Sequence, residues 1–274
     1  MKPDVKLAGV PQTMLWTLYH RAAESMRPDT LLKDEAAEQI YRQIDFSFLH
    51  HFGPPDGSIA ARACLFDAIV SQWLAQHPDG TVVELGCGLE TQNARLDNGQ
   101  AQWLLVDLPE SLAWRQRLVT DHARCRHIAQ DCLSLEWMEQ IDPDGALMVT
   151  VQGLLMYFSQ QQVRGLLTAI LERFPRVELV FDVIPPWISL WTTSPLGFWK
   201  TPFYKVPPMP WGVVPTEVES LLSQWCARPV AVHVQPIRSI RPDVSPWLWL
   251  DNMPFLQDQW PAVVHVPAQN RVAG

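Results

Sequence analysis

Short hydrophobic segments alternate with amphipathic segments between residues 81 and 183, and this alternation constrains the fold more than any other feature of the chain. Segments of the first kind are predicted to be strands, and those between them carry apolar residues at helical spacing. The predicted strands are 81–85, 101–106, 126–129, 145–151 and 177–183. Strands that alternate with helices build parallel sheets covered by helices on both faces. We therefore predict an α/β fold with a mostly parallel, twisted sheet.

Helical segments are also predicted before the first strand. Residues 12–45 have apolar side chains at spacings of three and four, with Arg21 and Glu24 on the opposite, polar face. A further helix is predicted over 58–76, where Ser58 is positioned to cap the first turn. An all-helical segment therefore precedes the region in which strands and helices alternate.

The composition changes sharply near Pro185. Eight of the 13 Trp and 15 of the 24 Pro lie at or after this residue. We expect a single domain with a helical cap (1–57), a ligand-binding core (58–183), a Pro- and Trp-rich lid inserted over the ligand edge of the sheet (184–215), and a segment that completes the sheet (216–274).

The overall composition narrows the class of protein. Hydrophobic residues make up 47% of the 274 residues and charged residues 18%, which is typical of a globular chain. A net charge of −8 argues against nucleic acid and anionic membranes as partners. The five scattered cysteines lack metal-ligand spacing, and no apolar run has the length of a signal peptide or membrane span. We expect a cytoplasmic protein without a metal site.

The first predicted strand ends in an acid and two glycines. Glu84 is followed by Gly86, Cys87 and Gly88, and the glycines permit a tight turn that a ligand can approach closely. Thr91 stands where a dinucleotide fingerprint has its third glycine, and the chain also lacks the Gly-Lys-Ser/Thr of a phosphate-binding loop. An acid followed by G-x-G suits S-adenosylmethionine, whose amino-acid end would lie over the loop. The same pattern also fits a purely structural tight turn.

Polar residues follow the later strands at the same edge, where open α/β sheets bind ligands. Asp107 is suited to accept both hydroxyl hydrogens of a ribose, or to cap the next helix. Asp131, beside Cys132, is suited to bind an adenine amine, or to stabilise a loop. Gln152 follows the fourth strand. Arg62, on the preceding helix, is suited to bind a carboxylate, or to lie solvated on the surface.

These residues belong to a longer pattern that resembles the leucine carboxyl methyltransferase family, in particular its bacterial branch of tetracenomycin-type polyketide O-methyltransferases. The matching segments are LWTLYHRAAESMRPDTLLKDEAAEQI (15–40), VVELGCGLETQNARL (82–96), WLLVDLPE (103–110), IAQDCLSLEWM (128–138), VQGLLMYFSQQQVRGLL (151–167) and FDVIPPW (181–187), together with Arg62. The resemblance implies a Rossmann-like class I methyltransferase fold, N-terminal helices that close over the site, and S-adenosylmethionine as cofactor.

The resemblance also implies roles for individual residues. Arg62 would bind the methionyl carboxylate, and Gly86 and Gly88 would lie beneath the cofactor. Asp107 would bind the ribose, and Asp131 with Cys132 would surround the adenine. The full set of expected cofactor-binding residues is Arg62, Glu84, Gly86, Cys87, Gly88, Asp107, Leu108, Asp131, Cys132 and Gln152.

The chain departs from the family at Gln152. The family usually has Glu there, in a motif of the form E-G-x-L-x-Y. Gln keeps hydrogen-bonding capacity but loses the negative charge, so contact with a cationic cofactor would be weaker. The tail after residue 188 matches only loosely, and the identity of the substrate therefore does not follow from the resemblance.

The sequence indicates the residues that bind the methyl acceptor less clearly than those that bind the cofactor. The residues expected to hold it are Tyr19, Arg21, Tyr157, Tyr204 and Trp211, although aromatic side chains more often belong to a core. No histidine stands in a motif that identifies a general base, and the catalytic residue and oligomeric state stay open. We expect an O-methyltransferase that modifies a hydroxyl or carboxylate of a small aromatic or apolar metabolite in secondary metabolism.

Two alternatives remain. A methyltransferase acting on protein C-terminal carboxylates would want a basic anchor, and the tail offers few basic residues: Lys200, Lys205, Arg228, Arg238 and Arg241. A degenerate methyltransferase fold that binds a ligand without turnover is favoured only by Gln152.

Overall fold

The computed structural model describes residues 12–238 and 258–268. The described helices are α1 (Thr13–Ser25), α2 (Glu35–Gln43), α3 (Phe48–Phe52), α4 (Ser58–Gln76), α5 (Gln92–Arg95), α6 (Pro109–Leu118), α7 (Gln160–Arg173), α8 (Pro186–Thr193) and α9 (Val218–Cys226). The described strands are β1 (Thr81–Leu85), β2 (Gln102–Asp107), β3 (Cys125–Ala129), β4 (Leu147–Val151), β5 (Glu178–Val183), β6 (Trp199–Thr201), β7 (Tyr204–Lys205), β8 (His233–Pro236) and β9 (Ala262–Val266).

Seven of these strands form one sheet in the order β3-β2-β1-β4-β5-β9-β8. The five strands from β1 to β5 pair in parallel, whereas β9 runs antiparallel to both of its neighbours. Leu85 of β1 is in register with Val106 of β2 and with Val151 of β4, so these three strands end at one edge. The predicted α/β fold with a mostly parallel sheet is confirmed.

The sheet is covered on both faces. On one face, Val83 and Val149 pack with apolar residues of α7 and α9. On the other face, Val82 and Met148 pack with apolar residues of α4. Strands buried on both sides explain the near-continuous hydrophobic runs in the sequence, because neither face of the sheet contacts water.

The helices α1 to α3 pack above the ligand edge of the sheet. Leu18 and Phe52 belong to an apolar cluster that also contains Leu89 from the loop after β1 and Met156 from the loop after β4. The expectation that Arg21 and Glu24 occupy a solvated face of the first helix is wrong. Both are buried: Arg21 forms an ion pair with Asp34, and Glu24 accepts a hydrogen bond from the backbone N–H of Leu31.

The N-terminus of α4 differs from the prediction in its cap. Ser58 is the first helical residue, and the capping position belongs to Gly57, which has a φ of +77°. Asp56 accepts hydrogen bonds from the Ser58 backbone N–H and hydroxyl, at 3.0 and 2.6 Å. Asp56, two residues before the helix, therefore satisfies the first N–H group of α4, and Ser58 does not act as the cap.

The Pro- and Trp-rich segment contains α8 and a small hairpin of β6 and β7, none of which the sequence pattern predicted. Thr201 of β6 donates its hydroxyl hydrogen to the backbone oxygen of His51, at 2.6 Å, which joins the hairpin to α3. Strand β9 was also not predicted individually. Arg241 lies outside the described residues. No helix in the described ranges is both long enough and apolar enough to cross a membrane.

Candidate cofactor and acceptor site

A cavity of about 640 Å³ opens at the ligand edge of the sheet. The order of strands reverses between β1 and β4, and the loops after these strands diverge there and leave a crevice. Cavities of this size are usual for small-molecule sites. Lining residues come from the loops after β1 to β5, from the α1 helix, and from the segment that carries α8 and β6.

Asp107 lies at the end of β2 and lines this cavity. Its two carboxylate oxygens accept hydrogen bonds from the backbone N–H groups of Gly88 and Leu108, each at 2.7 Å. Burial raises the pKa of Asp107 above its ordinary value, although these hydrogen bonds act in the opposite direction. A carboxylate oxygen can accept more than one hydrogen bond, so the held carboxylate still has capacity for two hydroxyl groups.

The glycine loop lies directly under α1. Gly88 has a φ of +42°, and an added Cβ would stand 2.8 Å from the sulfur atom of Met14. Gly88 therefore needs both the left-handed conformation and the missing side chain. Gly86, Cys87, Gly88 and Met14 all line the cavity.

Arg62 projects from α4 and forms a buried ion pair at the end of β5. Its Nη1 atom lies 3.0 Å from Oδ2 of Asp182, and Oδ1 of Asp182 accepts a 2.6 Å hydrogen bond from the backbone of Gly153. The Nε–H group of Arg62 is buried without a hydrogen-bond partner among the described residues. Arg62 is therefore oriented by the protein and keeps a donor for a ligand.

Asp182 was missed in the sequence. It stands at the carboxyl end of β5, inside the matched segment 181–187. The rule that located Asp107, which takes the polar residue at the end of each predicted strand, also identifies Asp182.

Gln152, Leu108, Asp131 and Cys132 also line the cavity. The Nε2 donor of Gln152 is buried without a described hydrogen-bond partner. Asp131 accepts a hydrogen bond from the backbone of Leu133 at 2.9 Å, so it also stabilises its own turn. The chemistry of these residues fits S-adenosylmethionine: a guanidinium and an amide would suit its amino-acid end, and carboxylates would suit its nucleoside end.

Glu84 lies apart from this set. It does not line the cavity, its side chain is 4% exposed, and neither carboxylate oxygen has a hydrogen-bond partner in the described part of the chain. Burial raises the pKa of Glu84 to about 8. The expectation that Glu84 contacts the cofactor is corrected, because the side chain points into the protein while the following glycines form the cavity wall.

Arg21 also lies away from the cavity lining. Its guanidinium is fully buried and donates to Asp34 at 2.8 Å, to Thr91 at 2.6 Å and to the backbone oxygen of Leu89 at 2.7 Å. Arg95 contacts the same Asp34 at 2.7 Å. Arg21 is therefore committed to an ion cluster that ties α1 to the loop after β1, which corrects its expected role as a substrate contact.

Three aromatic residues that were expected to touch the acceptor lie behind the wall. Tyr19 packs against Tyr41 and Phe48, Tyr204 against Trp16 and Phe52, and Trp211 belongs to the core of the sheet. None of the three is among the described lining residues. Their rings pack against other side chains in the interior, which is the usual role of aromatic residues.

Tyr157 does line the cavity. Burial raises its pKa to about 12, and a hydrogen bond with Thr13 acts in the opposite direction. Its phenol is therefore protonated at neutral pH and is a hydrogen-bond donor, not a base.

The cavity is also lined by residues that the sequence did not single out: the polar side chains of Trp16, Asp56 and Lys200, and the apolar side chains of Ile188 and Phe198. His20 accepts a hydrogen bond from Trp16. No sequence signal marks His20 or Asp56, because their proximity to Lys200 arises only from the packing of β6 against α1 and the loop before α4.

No metal centre is present in the described ranges, where no group of three His, Cys, Asp or Glu side chains is placed to hold an ion. Burial raises the pKa of Cys87 well above its ordinary value and that of Cys132 to about 12. Both lining cysteines are therefore thiols at neutral pH.

Comparison with known proteins identifies the family. The family model for leucine carboxyl methyltransferases matches residues 14–171. A tetracenomycin polyketide synthesis O-methyltransferase of Streptomyces glaucescens is 30% identical over 190 residues, which cover 68% of this chain and 70% of the relative. An S-adenosylmethionine-dependent methyltransferase of Gibberella zeae is 26% identical over 191 residues, covering 63% of this chain and 64% of the relative.

The fold also matches a solved structure. Magnesium protoporphyrin IX methyltransferase of Synechocystis aligns with a TM-score of 0.51 at 11% identity, over 86% of this chain and 93% of that chain. This likeness concerns the fold alone and confirms the Rossmann-like class I methyltransferase architecture. The strand order, the ligand edge and the matched motifs lead to one conclusion: the chain belongs to the leucine carboxyl methyltransferase family and is an S-adenosylmethionine-dependent methyltransferase.

Proposed function

We propose that the protein is an O-methyltransferase whose acceptor is a small aromatic or apolar metabolite of secondary metabolism. One observation carries this proposal. A single cavity is lined both by charged groups, among them Arg62, Asp107 and Asp131, and by Trp16 with apolar side chains of the α8–β6 segment. The charged groups suit a zwitterionic nucleoside cofactor, and the aromatic and apolar groups suit an apolar acceptor.

In this proposal the protein positions the reactants. S-adenosylmethionine supplies an electrophilic methyl group on a positively charged sulfur. Arg62 and Gln152 bind the amino-acid end, Gly86, Cys87 and Gly88 lie beneath the cofactor, and Asp107 with Leu108, Asp131 and Cys132 binds the nucleoside. When bound there, the cofactor would supply its methyl group to an acceptor oxygen held in line with it, and an acceptor that arrives ionised would have no proton to lose.

The surroundings of the cavity support exclusion of water. Helix α1 covers the glycine loop through Met14, and residues 184–215 provide Ile188, Phe198 and Lys200 to the wall. We propose that 1–57 acts as a cap and 184–215 as a lid of a single domain, with 58–183 as core and 216–274 completing the sheet. All five cysteines are free thiols. We also propose a cytoplasmic location, which this supports.

Calorimetric titration with S-adenosylhomocysteine, followed by a methyl-transfer assay, tests the proposed function. We expect saturable binding at one site per chain, and transfer of a labelled methyl group to the oxygen of members of a panel of aromatic acids and phenols. Absence of binding would contradict the cofactor assignment. S-adenosylhomocysteine could bind while no aromatic acid or phenol of the panel is methylated. If peptides that end in a free carboxylate are methylated instead, the result would favour a protein carboxyl methyltransferase.

A further inference from the structure

Four side chains, Lys200, Asp56, Trp16 and His20, form a polar cluster at the cavity, and none of them is among the residues assigned to the cofactor. Nζ of Lys200, on β6, lies 3.4 Å from Oδ2 of Asp56 and 4.9 Å from the centre of the Trp16 ring. Nε1 of Trp16 donates to Nε2 of His20 at 2.9 Å. Lys200, Asp56 and Trp16 line the cavity.

His20 fixes the orientation of Trp16. An indole N–H can only donate, so Nε2 of His20 is the acceptor and the neutral ring carries its proton on Nδ1. Burial lowers the pKa of His20 to about 4, which keeps the ring neutral near pH 7. Nδ1 is buried and lies 3.8 Å from Oδ1 of Asp56, with no described hydrogen-bond partner. Trp16, which lines the cavity, is therefore held in one orientation.

Lys200 is the described cation that contacts this cluster directly, and the charge of Arg62 also reaches His20. Among the described residues that line the cavity, Arg62 and Lys200 carry positive charge, and Arg62 is paired with Asp182. The Lys200 side chain is only 17% exposed, and its contact with Asp56 is longer than the 2.7–2.8 Å ion pairs of the buried Arg21 and Arg95 cluster. An ammonium has three donors, so Lys200 keeps capacity for an anionic oxygen while Asp56 holds it in place.

The same end offers little to remove a proton from a neutral acceptor. The charge of Lys200 and hydrogen bonds from Ser58 outweigh burial and lower the pKa of Asp56 to about 2, so Asp56 is a weak base. The basic nitrogen of His20 is occupied by Trp16, and Tyr157 stays protonated. An acceptor that arrives already ionised needs none of these groups.

We propose that Lys200 is a specificity-determining residue that binds a negatively charged oxygen of an aromatic acceptor stacked on Trp16, with Asp56 and His20 holding Lys200 and Trp16 in position. This rests on the proposed function, because it assigns the acceptor end of the same cavity. Lys200 lies beyond residues 14–171, where the family model matches, on the segment that we propose as the lid.

Binding of matched charged and neutral probes tests the proposal. The full chain is saturated with S-adenosylhomocysteine and titrated calorimetrically with 2-naphthoate and with its uncharged amide, 2-naphthamide. We expect the unmodified protein to prefer the anion by about 10- to 100-fold, the factor that corresponds to a charged hydrogen bond. Lys200→Met should remove this preference, and Lys200→Arg should retain part of it.

Lys205→Met is the matched control, because Lys205 lies on the adjacent strand β7, is exposed and does not line the cavity. It should keep the preference. A second pair of probes, 2,4-dinitrophenolate and the uncharged 2,4-dinitroanisole, distinguishes a phenolate acceptor from a carboxylate acceptor. If the preference for dinitrophenolate over dinitroanisole exceeds that for naphthoate over naphthamide, Lys200 binds a phenolate oxygen; the reverse order indicates a carboxylate oxygen. Equal binding of naphthoate and naphthamide, including no measurable binding of either, overturns the proposal, as does a preference that survives Lys200→Met. Failure of S-adenosylhomocysteine itself to bind would instead overturn the proposed function.

Discussion

Asp107 shows how one residue serves the fold and the site together. Its carboxylate accepts backbone hydrogen bonds from Gly88 and Leu108, and so joins the ends of β1 and β2. The sequence left two alternatives open, a ribose ligand or a local cap. The geometry is compatible with both, because the residue that binds the backbone also lines the cavity.

We predict that Asp107→Ala weakens S-adenosylhomocysteine binding by about 1–3 kcal/mol, the usual penalty for unpaired hydrogen-bonding groups. Calorimetric titration measures the affinity, and urea unfolding reports any loss of loop stability separately. Asp144→Ala, which changes an exposed acid far from the cavity, should leave both quantities unchanged. Unchanged affinity in Asp107→Ala would rule out the ribose role.

Glu84 is the opposite case, a buried carboxyl group for which the described structure offers no hydrogen-bond partner. Its pKa of about 8 in the folded protein lies above its ordinary value of 4.5, because burial disfavours the charged form. Between these two pH values the unfolded chain binds fewer protons than the folded chain. Glu84 therefore makes stability fall as the pH rises from 4.5 to 8.

We predict that Glu84→Gln is more stable than the unmodified protein, and that the gain is larger at pH 8 than at pH 5. The amide keeps the shape of the side chain but does not ionise, so this part of the pH dependence disappears. Urea unfolding at the two pH values measures the difference. Glu219→Gln, at an exposed position of α9, is the matched control and should show no such trend; an equal gain at both pH values would contradict the prediction.

At the scale of elements, α1 is held over the glycine loop by the buried ion cluster of Arg21, Arg95, Asp34 and Glu90. Asp34 caps α2 by accepting from the Ala37 backbone, and it also contacts both arginines. One carboxylate thus fixes α2, α1 and α5 relative to each other. The position of Met14 over Gly88 depends on this arrangement.

We predict that Arg21→Met destabilises the protein by about 3–5 kcal/mol, because it leaves buried carboxylates without their partner. It should also weaken S-adenosylhomocysteine binding and speed amide hydrogen exchange in α1. Arg42→Met is the matched control in the same cap, since Arg42 is 62% exposed and pairs with Glu38 on the surface. A surface pair contributes at most about 1 kcal/mol, and equal effects of the two substitutions would contradict the anchoring role.

At the scale of the whole molecule, buried ionisable groups oppose one another in their effect on stability. Burial raises the pKa of Asp121, but its hydrogen bonds with Arg115 outweigh this and bring it to about 2, below its ordinary 3.8. Asp56 behaves in the same way. Both contribute stability that is complete above pH 3.8 and is lost as the pH falls towards 2. The lowered pKa of His20 makes stability fall as the pH drops from 6.5 to about 4.

We predict that the stability maximum lies between pH 4.5 and 6.5, on the acid side of neutrality. Above this window Glu84 lowers stability as the pH rises, and below it the two aspartates lose their contribution. The free energy of unfolding in urea, measured from pH 2 to 9, locates the maximum. A maximum at or above pH 8 would contradict the pKa of Glu84 on which the prediction depends.

The sequence by itself determined the sheet, the cofactor edge and the family. Hydrophobic periodicity locates the five parallel strands, since both of their faces are buried, and glycines and acids at strand ends locate Gly86, Gly88 and Asp107, since parallel strands end at one edge. Only the tertiary structure decided which polar residues face the cavity. Arg21 and Glu84 point into the protein interior. Asp56, Asp182 and Lys200 are distant in sequence, but all three line the cavity. Burial and pairing of charged groups depend on how the cap and lid pack, and no local pattern along the chain records that.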